Sequence, residues 1–364
     1  MASTALNSDE ITEFFDTDAK VKELSLVLAN LIRNSKHTVV YTGAGLSTSA
    51  GIADFRGPTG VWTMRAKDLK PVALNHYKMP TLAHMAIKKL VDDGLVKYVV
   101  SQNVDGLHLK SGIPVLSIAE LHGNSNKEYC KNCKKAFIRN YRTRTASQVH
   151  DHKTGRKCEC GGELYDSIIN FGENLPEEEL ENAEIQSKEA DLAIVLGTSL
   201  RVSPACNLPL LIKPEAKLVI CNLQKTPFDK NSNSMVIHAR CDDLMRNLME
   251  ILEVLIPDFI FDMQFKFTIS SATKLVKISD SNVELNKILS RLTLTDSKKT
   301  EYNFLPGTKF EKTLTNYQKD DELELNLHFN LLKPFEGKII LNKTSNVTIE
   351  LNVTKSTMKY TLNN

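Results

Sequence analysis

The chain has 364 residues, 41% of them hydrophobic and 25% charged, which is enough apolar material for a sizeable core and too much chain for one small domain. Lys plus Arg is 46 and Asp plus Glu is 44, a formal charge of +2; this excludes binding driven by bulk charge, as in a polybasic nucleic-acid coat or an acidic tail. No apolar run reaches the roughly 18 residues of a membrane-spanning helix, and the first basic residue is Lys20, so the N-terminus reads as neither a secretory signal nor an Arg-rich transit peptide. Seven Cys in the reducing compartment this implies are expected to be metal ligands or buried thiols rather than disulfides.

Val21, Leu24, Leu28, Leu31 and Ile32 fall on one face of a helix. The apolar run TVVYT at 38–42 then ends at Gly43-Ala44-Gly45. Small residues behind a strand let the backbone approach a pyrophosphate, and the free N–H groups of a following helix start would meet it. Position 48 is Thr, not the third Gly of a dinucleotide fingerprint, so by spacing alone a tight turn without a ligand is an equal reading. Further apolar runs at 96–101, 192–196 and 218–221 each end in a polar or Gly-rich turn. Strands apolar on both faces suit a parallel sheet covered by helices, and ligands of such sheets bind beyond the carboxyl ends of the strands. The turns at 43–57, 101–108, 197–204 and 222–226 are therefore expected to converge on one crevice.

Four of the Cys cluster in sequence as Cys130-x2-Cys133 and Cys158-x-Cys160, while Cys206, Cys221 and Cys241 scatter. The first pair has the usual spacing of a zinc knuckle and the second is one residue short of it. His150 and His152 are competing ligands, with solvated loop positions the simpler reading. Near Pro257 the hydrophobic period changes to two: Phe259, Phe261, Met263, Phe265, Phe267 and Ile269, then Leu323, Leu325, Leu327, Phe329 and Leu331, then Val347, Ile349, Leu351 and Val353 alternate with polar neighbours over most of their length, as half-buried antiparallel strands do. The organisation expected is an N-terminal extension at 1–19, an α/β domain at 20–256 and an all-β module at 257–364 that carries no catalytic cluster.

Four runs in fixed order, GAGLSTSAGIADFRG (43–57), SQNVDGLH (101–108), ELHG (120–123) and GTSL (197–200), resemble the sirtuins, NAD-consuming protein deacylases. The resemblance covers about residues 20–255. FRGPTGVWTM at 55–64 and the Ser that opens SQNVDGLH resemble the class IV, mainly nuclear, branch; Ala53 stands where the family usually has Pro. The fold implied is a Rossmann-like parallel sheet with a small four-cysteine zinc-binding module at about 124–168.

The activity implied is NAD-dependent protein-lysine deacylation, giving nicotinamide and O-acyl-ADP-ribose, with the acylated lysine of a histone tail or another protein as partner and the nucleus, with the cytoplasm second, as location. NAD is consumed as a co-substrate, and one structural Zn is held by Cys130, Cys133, Cys158 and Cys160. A base is needed to activate a ribose hydroxyl, and a His with a near-neutral pKa suits that role; the resemblance gives it to His122. Asn103 and Asp105 are implied to orient the nicotinamide ribose, with Gln102 also reaching it. Asp54 is implied to meet the nicotinamide amide and Phe55 to shield the reacting carbon. Gly43, Ala44, Gly45, Thr48 and Arg56 are expected at the phosphates and the nicotinamide side, and Trp62 against the cofactor. Gly197, Thr198 and Ser199 suit phosphate binding. Asn222 and Gln224 are implied to hold the adenosine ribose and Cys241 to lie near the adenine, although from sequence alone an exposed turn is the plainer reading of 222–224. Leu121, Phe171, Gly172 and Val202 are expected to frame a tunnel for the acyl-lysine, with the substrate peptide added as a β-strand between the segments after FGE (171–173) and GTSL. Three rival readings are mono-ADP-ribosyl transfer to protein from the same site, a low-activity NAD-sensing chromatin scaffold, and a hydride-transfer dehydrogenase, which the missing third Gly disfavours.

Overall fold

The structure is a computed structural model that describes residues 11–69, 79–139 and 141–259, and beyond them the backbone of the strands lying between residues 261 and 363. The chain divides into two compact units, Met1–Pro257 and Asp258–Asn364.

The first unit is built on six parallel strands: β1 (Thr38–Thr42), β2 (Tyr98–Ser101), β3 (Ile118–Glu120), β8 (Leu192–Leu196), β9 (Lys217–Cys221) and β10 (Ser234–Ile237), in the order β10-β9-β8-β1-β2-β3. Every residue of β1, β2 and β8 is buried, which explains their continuous apolar runs. Alternate side chains serve opposite faces. Val40, Val99, Ile194 and Val219 pack with Leu28 and Ile32 of α1 (Asp18–Asn34), Ile87 and Leu90 of α3 (Leu82–Asp92), and Leu244 and Leu248 of α6 (Cys241–Leu252). Val39, Tyr41, Val100, Ala193, Val195 and Ile220 face the other layer, with Ala183 of α5 (Glu177–Glu189) and Leu208. Side chains cap the starts of two of these helices, α1 and α3. Thr17 Oγ1 accepts from Lys20 N–H at 3.3 Å ahead of α1, and Thr81 and His84 form a reciprocal cap on α3. Short helices α2 (Val61–Ala66) and α4 (Leu107–Ser111) fill the loops after β1 and β2.

A separate antiparallel sheet is inserted between β3 and β8. Its strands are β4 (Lys127–Cys130), β5 (Ala136–Ile138), β6 (Lys153–Lys157) and β7 (Glu163–Asp166), in the order β5-β4-β7-β6. Inside it the fully buried carboxylate of Glu128 accepts from Arg139 Nε and Arg156 Nε, both at 2.8 Å. Burial alone would raise the Glu128 pKa, but the two guanidiniums bring it below the ordinary value.

The second unit holds two antiparallel sheets. One has five strands, among them Phe261–Ser270 paired with Asn346–Val353; the other has four, among them Leu289–Thr295 paired with Glu322–Phe329. The period-two runs of the sequence lie within these strands except at Phe259, which precedes Phe261–Ser270, and at Leu331, which lies outside the described residues.

Candidate active site

The six parallel strands end level. Register pairs Thr42 with Ser101 and Leu196, Ser101 with Glu120, Leu196 with Cys221, and Cys221 with Ile237. One rim therefore carries Gly43, Gln102, Leu121, Gly197, Asn222 and His238. The strand order reverses between β1 and β8, where open α/β sheets bind ligands. There Gly43 N–H donates to Leu196 O at 3.0 Å and Gly45 N–H to Gly197 O at 2.8 Å. A Cβ on Gly45 would stand 2.8 Å from Gly197 Cα, and one on Gly197, whose φ is +64°, would strike Leu46 N. The two turns thus touch backbone to backbone, which only glycine permits. Ala44–Ala50 follows as a 3₁₀ turn, not an α-helix.

Beyond β3, His122 Nδ1 lies 2.9 Å from Gln102 O. A carbonyl only accepts, so Nδ1 carries the proton and Nε2 keeps its lone pair. Burial lowers the His122 pKa, opposed by that carbonyl, so the ring is a neutral base at physiological pH. The His122 carbonyl accepts from Ile169 N–H at 3.0 Å, which ties this turn to the segment leading into Phe171.

Asn103 and Asp105 are joined by a residue the sequence reading passed over. Ser47 Oγ donates to Asp105 Oδ2 at 2.7 Å and accepts from Asn103 Nδ2 at 3.3 Å; Asn103 Nδ2 also donates to Gly43 O at 3.0 Å. Ser47 is fully buried. Asp105 Oδ1 further accepts from Leu107 N–H at 2.9 Å, opening α4. Ser47 sits inside the motif at 43–57, but nothing local to that run announces a partner 58 positions away.

The loop from Asp54 to Trp62 closes on itself: both Asp54 oxygens accept from Gly57 N–H at 3.0–3.1 Å, and Trp62 N–H donates to Phe55 O at 3.0 Å. Burial pushes the Asp54 pKa up, against Gly57 and Arg56. Phe55, Trp62 and Phe171 form an aromatic chain with centroid spacings of 6.3 and 6.1 Å.

A crevice of about 580 Å³ opens over this rim. Of the expected residues it is lined by Gly45, Thr48, Asp54, Gly197, Asn222, Gln224 and Cys241. Gly43, Ala44, Phe55, Arg56, Trp62, Gln102, Asn103, His122, Thr198 and Ser199 do not line it, and neither does any other residue of the turn at 101–108, which was expected to converge here; that turn is tied by the Ser47–Asp105 hydrogen bond to the 45–51 segment that does line it. The exposed-turn reading of 222–224 is wrong. Asn222 and Gln224 are only 6% and 9% exposed, because Asn222 Nδ2 folds back onto Gln224 O at 2.8 Å and Gln224 Nε2 donates to Glu13 Oε1 at 3.2 Å. Glu13 and Phe15 also line the crevice and were not foreseen.

The four Cys sulfurs all lie within 4.8 Å of one another, with Cys130–Cys160 at 3.5 Å and Cys133–Cys158 at 3.6 Å. Tetrahedral Zn–S bonds of about 2.3 Å require sulfurs about 3.8 Å apart, so the set fits a closed Zn site with no open position. His150 and His152 are not part of it. His150 Nδ1 and His152 Nε2 lie 2.8 and 3.0 Å from Glu173 Oε1, and His152 Nδ1 lies 3.2 Å from Asp166 Oδ1. Burial alone would lower the His152 pKa, but the two carboxylates raise it.

The Sir2 family profile matches residues 68–204. The NAD-dependent protein deacetylase SRT1 of Arabidopsis thaliana is 46% identical over 257 residues, 69% of this chain and 54% of that protein. The NAD-dependent protein deacetylase Sirt6 of Drosophila melanogaster is 44% identical over 259 residues, 68% of this chain and 81% of that protein. Among solved structures, a Sir2 variant with deacetylated p53 peptide and 3'-O-acetyl ADP ribose gives a TM-score of 0.50 at 33% identity, covering 63% of this chain and 98% of that one. The chain spans about half the length of the plant relative. With the ordered motifs, the parallel sheet and the inserted four-cysteine module, these likenesses establish that the chain belongs to the Sir2 family, the sirtuins.

Proposed function

We propose that the chain is an NAD-dependent protein-lysine deacylase of the class IV branch, acting on acylated lysines of histones or other nuclear proteins and releasing nicotinamide and O-acyl-ADP-ribose. The observation that carries this reading is His122: a half-buried imidazole just beyond β3, proton fixed on Nδ1 by Gln102 O at 2.9 Å, Nε2 left as a base. NAD, when bound, supplies a ribose carbon that takes the acyl oxygen as nicotinamide leaves. His122 Nε2 accepts the proton of a ribose hydroxyl, and Gln102 O stabilises the imidazolium that results. Asn103 and Asp105, held by Ser47, fix the ribose edge. Phe55 covers the reacting face, and Asp54, its carboxyl pKa raised by burial, meets the nicotinamide amide. Gly43, Ala44, Gly45, Thr48, Arg56, Gly197, Thr198 and Ser199 bind along the pyrophosphate, Trp62 lies against the cofactor, and Asn222, Gln224 and Cys241 take the adenosine half. Leu121, Phe171, Gly172 and Val202 frame the acyl-lysine. Residues 20–256 form the catalytic domain, with one structural Zn on Cys130, Cys133, Cys158 and Cys160. Nuclear location and chromatin association belong to the same proposal.

The test is mass spectrometry of an acylated histone-peptide panel incubated with and without NAD. The intact chain is expected to yield free lysine and O-acyl-ADP-ribose, and His122→Ala to yield neither while still folding. Undiminished turnover in that variant removes the base assignment. ADP-ribose attached to protein, with acyl groups intact, replaces deacylation by ADP-ribosyl transfer.

A further inference from the structure

Residues 13–16 precede α1 and run along the β9–β10 end of the sheet. Phe14 N–H donates to Leu223 O at 2.9 Å, Asp16 N–H to His238 O at 2.8 Å, and His238 N–H to Asp16 Oδ2 at 2.8 Å. Successive side chains of an extended segment point opposite ways. Phe14 turns onto the His238 ring, with centroids 5.5 Å apart, and the Lys225 ammonium lies 4.7 Å from its ring. Glu13 and Phe15 line the crevice, where Phe15 is 60% exposed and Glu13 Oε1 accepts from Gln224 Nε2 at 3.2 Å.

What this strap meets follows from the order of the strands, given the NAD reading above. With the reacting ribose beside His122 at the end of β3 and the pyrophosphate at the glycines between β1 and β8, the adenosine half has only the β9–β10 side left to occupy. A carboxylate placed there accepts from the hydroxyls of an unmodified ribose and repels a phosphate on it. The other charges lining this part of the crevice do not reverse that preference. Asp242 accepts from Ser49 Oγ and Ala83 N–H, and Asp243 pairs with Arg246 at 3.2 Å. Arg240 is close enough to oppose the raised Glu13 pKa, which burial and then Asp54 push up, so its charge is already shared with that carboxylate.

The geometry points to Glu13 as the residue that makes the crevice select an unphosphorylated adenosine ribose, NAD over NADP, with Phe15 as a stacking face for the base. Calorimetric titration of the intact chain with NAD and with NADP tests it. The unaltered chain binds NAD more tightly. Glu13→Gln, nearly isosteric, narrows the ratio of the two Kd values by about tenfold, the size of one charge-assisted contact. Phe15→Ala weakens both dinucleotides alike and leaves the ratio unchanged. Glu13→Asp, which keeps the charge, keeps the discrimination, so its loss in both Glu13 variants assigns the effect to strap packing and overturns the charge argument. NAD binding with an unchanged ratio in Glu13→Gln overturns this inference alone; no NAD binding by the unaltered chain overturns it together with the reading it rests on.

Discussion

His122 and His108 show how one residue type takes two roles by position. His122 sits at a strand end with Nε2 unbonded, and its pKa is lowered by burial. The acid limb of the pH profile of kcat/KM is therefore expected below the ordinary histidine value of about 6.5; a limb at or above it would show that the ring is not held neutral. His108 lies deeper. Its Nε2 meets Thr42 Oγ1 at 2.8 Å, its ring centroid lies 4.7 Å from that of His84, and its Nδ1 has no hydrogen-bond partner. Burial, then the His84 charge, brings its pKa down to about 3. The folded pKa lies below the unfolded one, so the unfolded chain takes up more protons as the pH falls. Stability is thus complete above about pH 6.5 and is lost progressively toward pH 3. His108→Gln, which does not titrate, is expected to flatten that slope in urea melts between about pH 7 and 4. A slope equal to the parent's would exclude the buried ring as its source.

At the scale of elements, the inserted sheet depends on its metal ligands. Its described apolar core is Cys130, Cys158 and Leu164, with Phe137 packed against them, too little to hold four short strands without a clip. Chelation, or Cys133→Ser, is expected to release one Zn per chain and expose residues 127–166 to protease while the parallel sheet keeps its circular dichroism. Full protease resistance of the metal-free chain would make the metal dispensable. The sheet also reaches the proposed substrate segment. Burial alone would raise the Glu173 pKa, but Asn170 N–H, His150 and His152 bring it down to about 2. They anchor the turn that carries Phe171 toward Trp62. Glu173→Gln is expected to raise the peptide KM several-fold, on the order of one charge-assisted hydrogen bond, with kcat little changed. A fall in kcat at constant KM would place Glu173 in the chemistry instead.

At the scale of the molecule, the described strands of Asp258–Asn364 pair only with one another, and the parallel sheet is complete without them. A chain ending at Pro257 is expected to remain soluble and to deacylate peptides at a rate within about twofold of the full chain. If chromatin binding in the same preparation is lost while turnover persists, the β-rich unit carries the interaction; loss of turnover would make it part of the active enzyme.

Signals that depend on neighbours in the chain were legible without coordinates. The apolar runs marked the strands, because a strand covered on both faces must be apolar throughout. The Gly turns marked strand ends, though that two of them meet where the strand order reverses was decided by the fold, and the four Cys marked the metal site despite the short second knuckle. What the tertiary structure alone decided is burial and pairing between distant residues. Asn222 and Gln224 read as a solvated turn until residues 13–16 were found lying across them, 211 positions from Gln224 to Glu13. His150 and His152 are the loop residues their run suggests, and His150 is exposed, but nothing in that run shows that β7 and the turn at 170–173 bring Asp166 and Glu173 beside them. A polar side chain carries no mark of what will shield it from water, because its partner is chosen by chain topology and not by its own run of sequence.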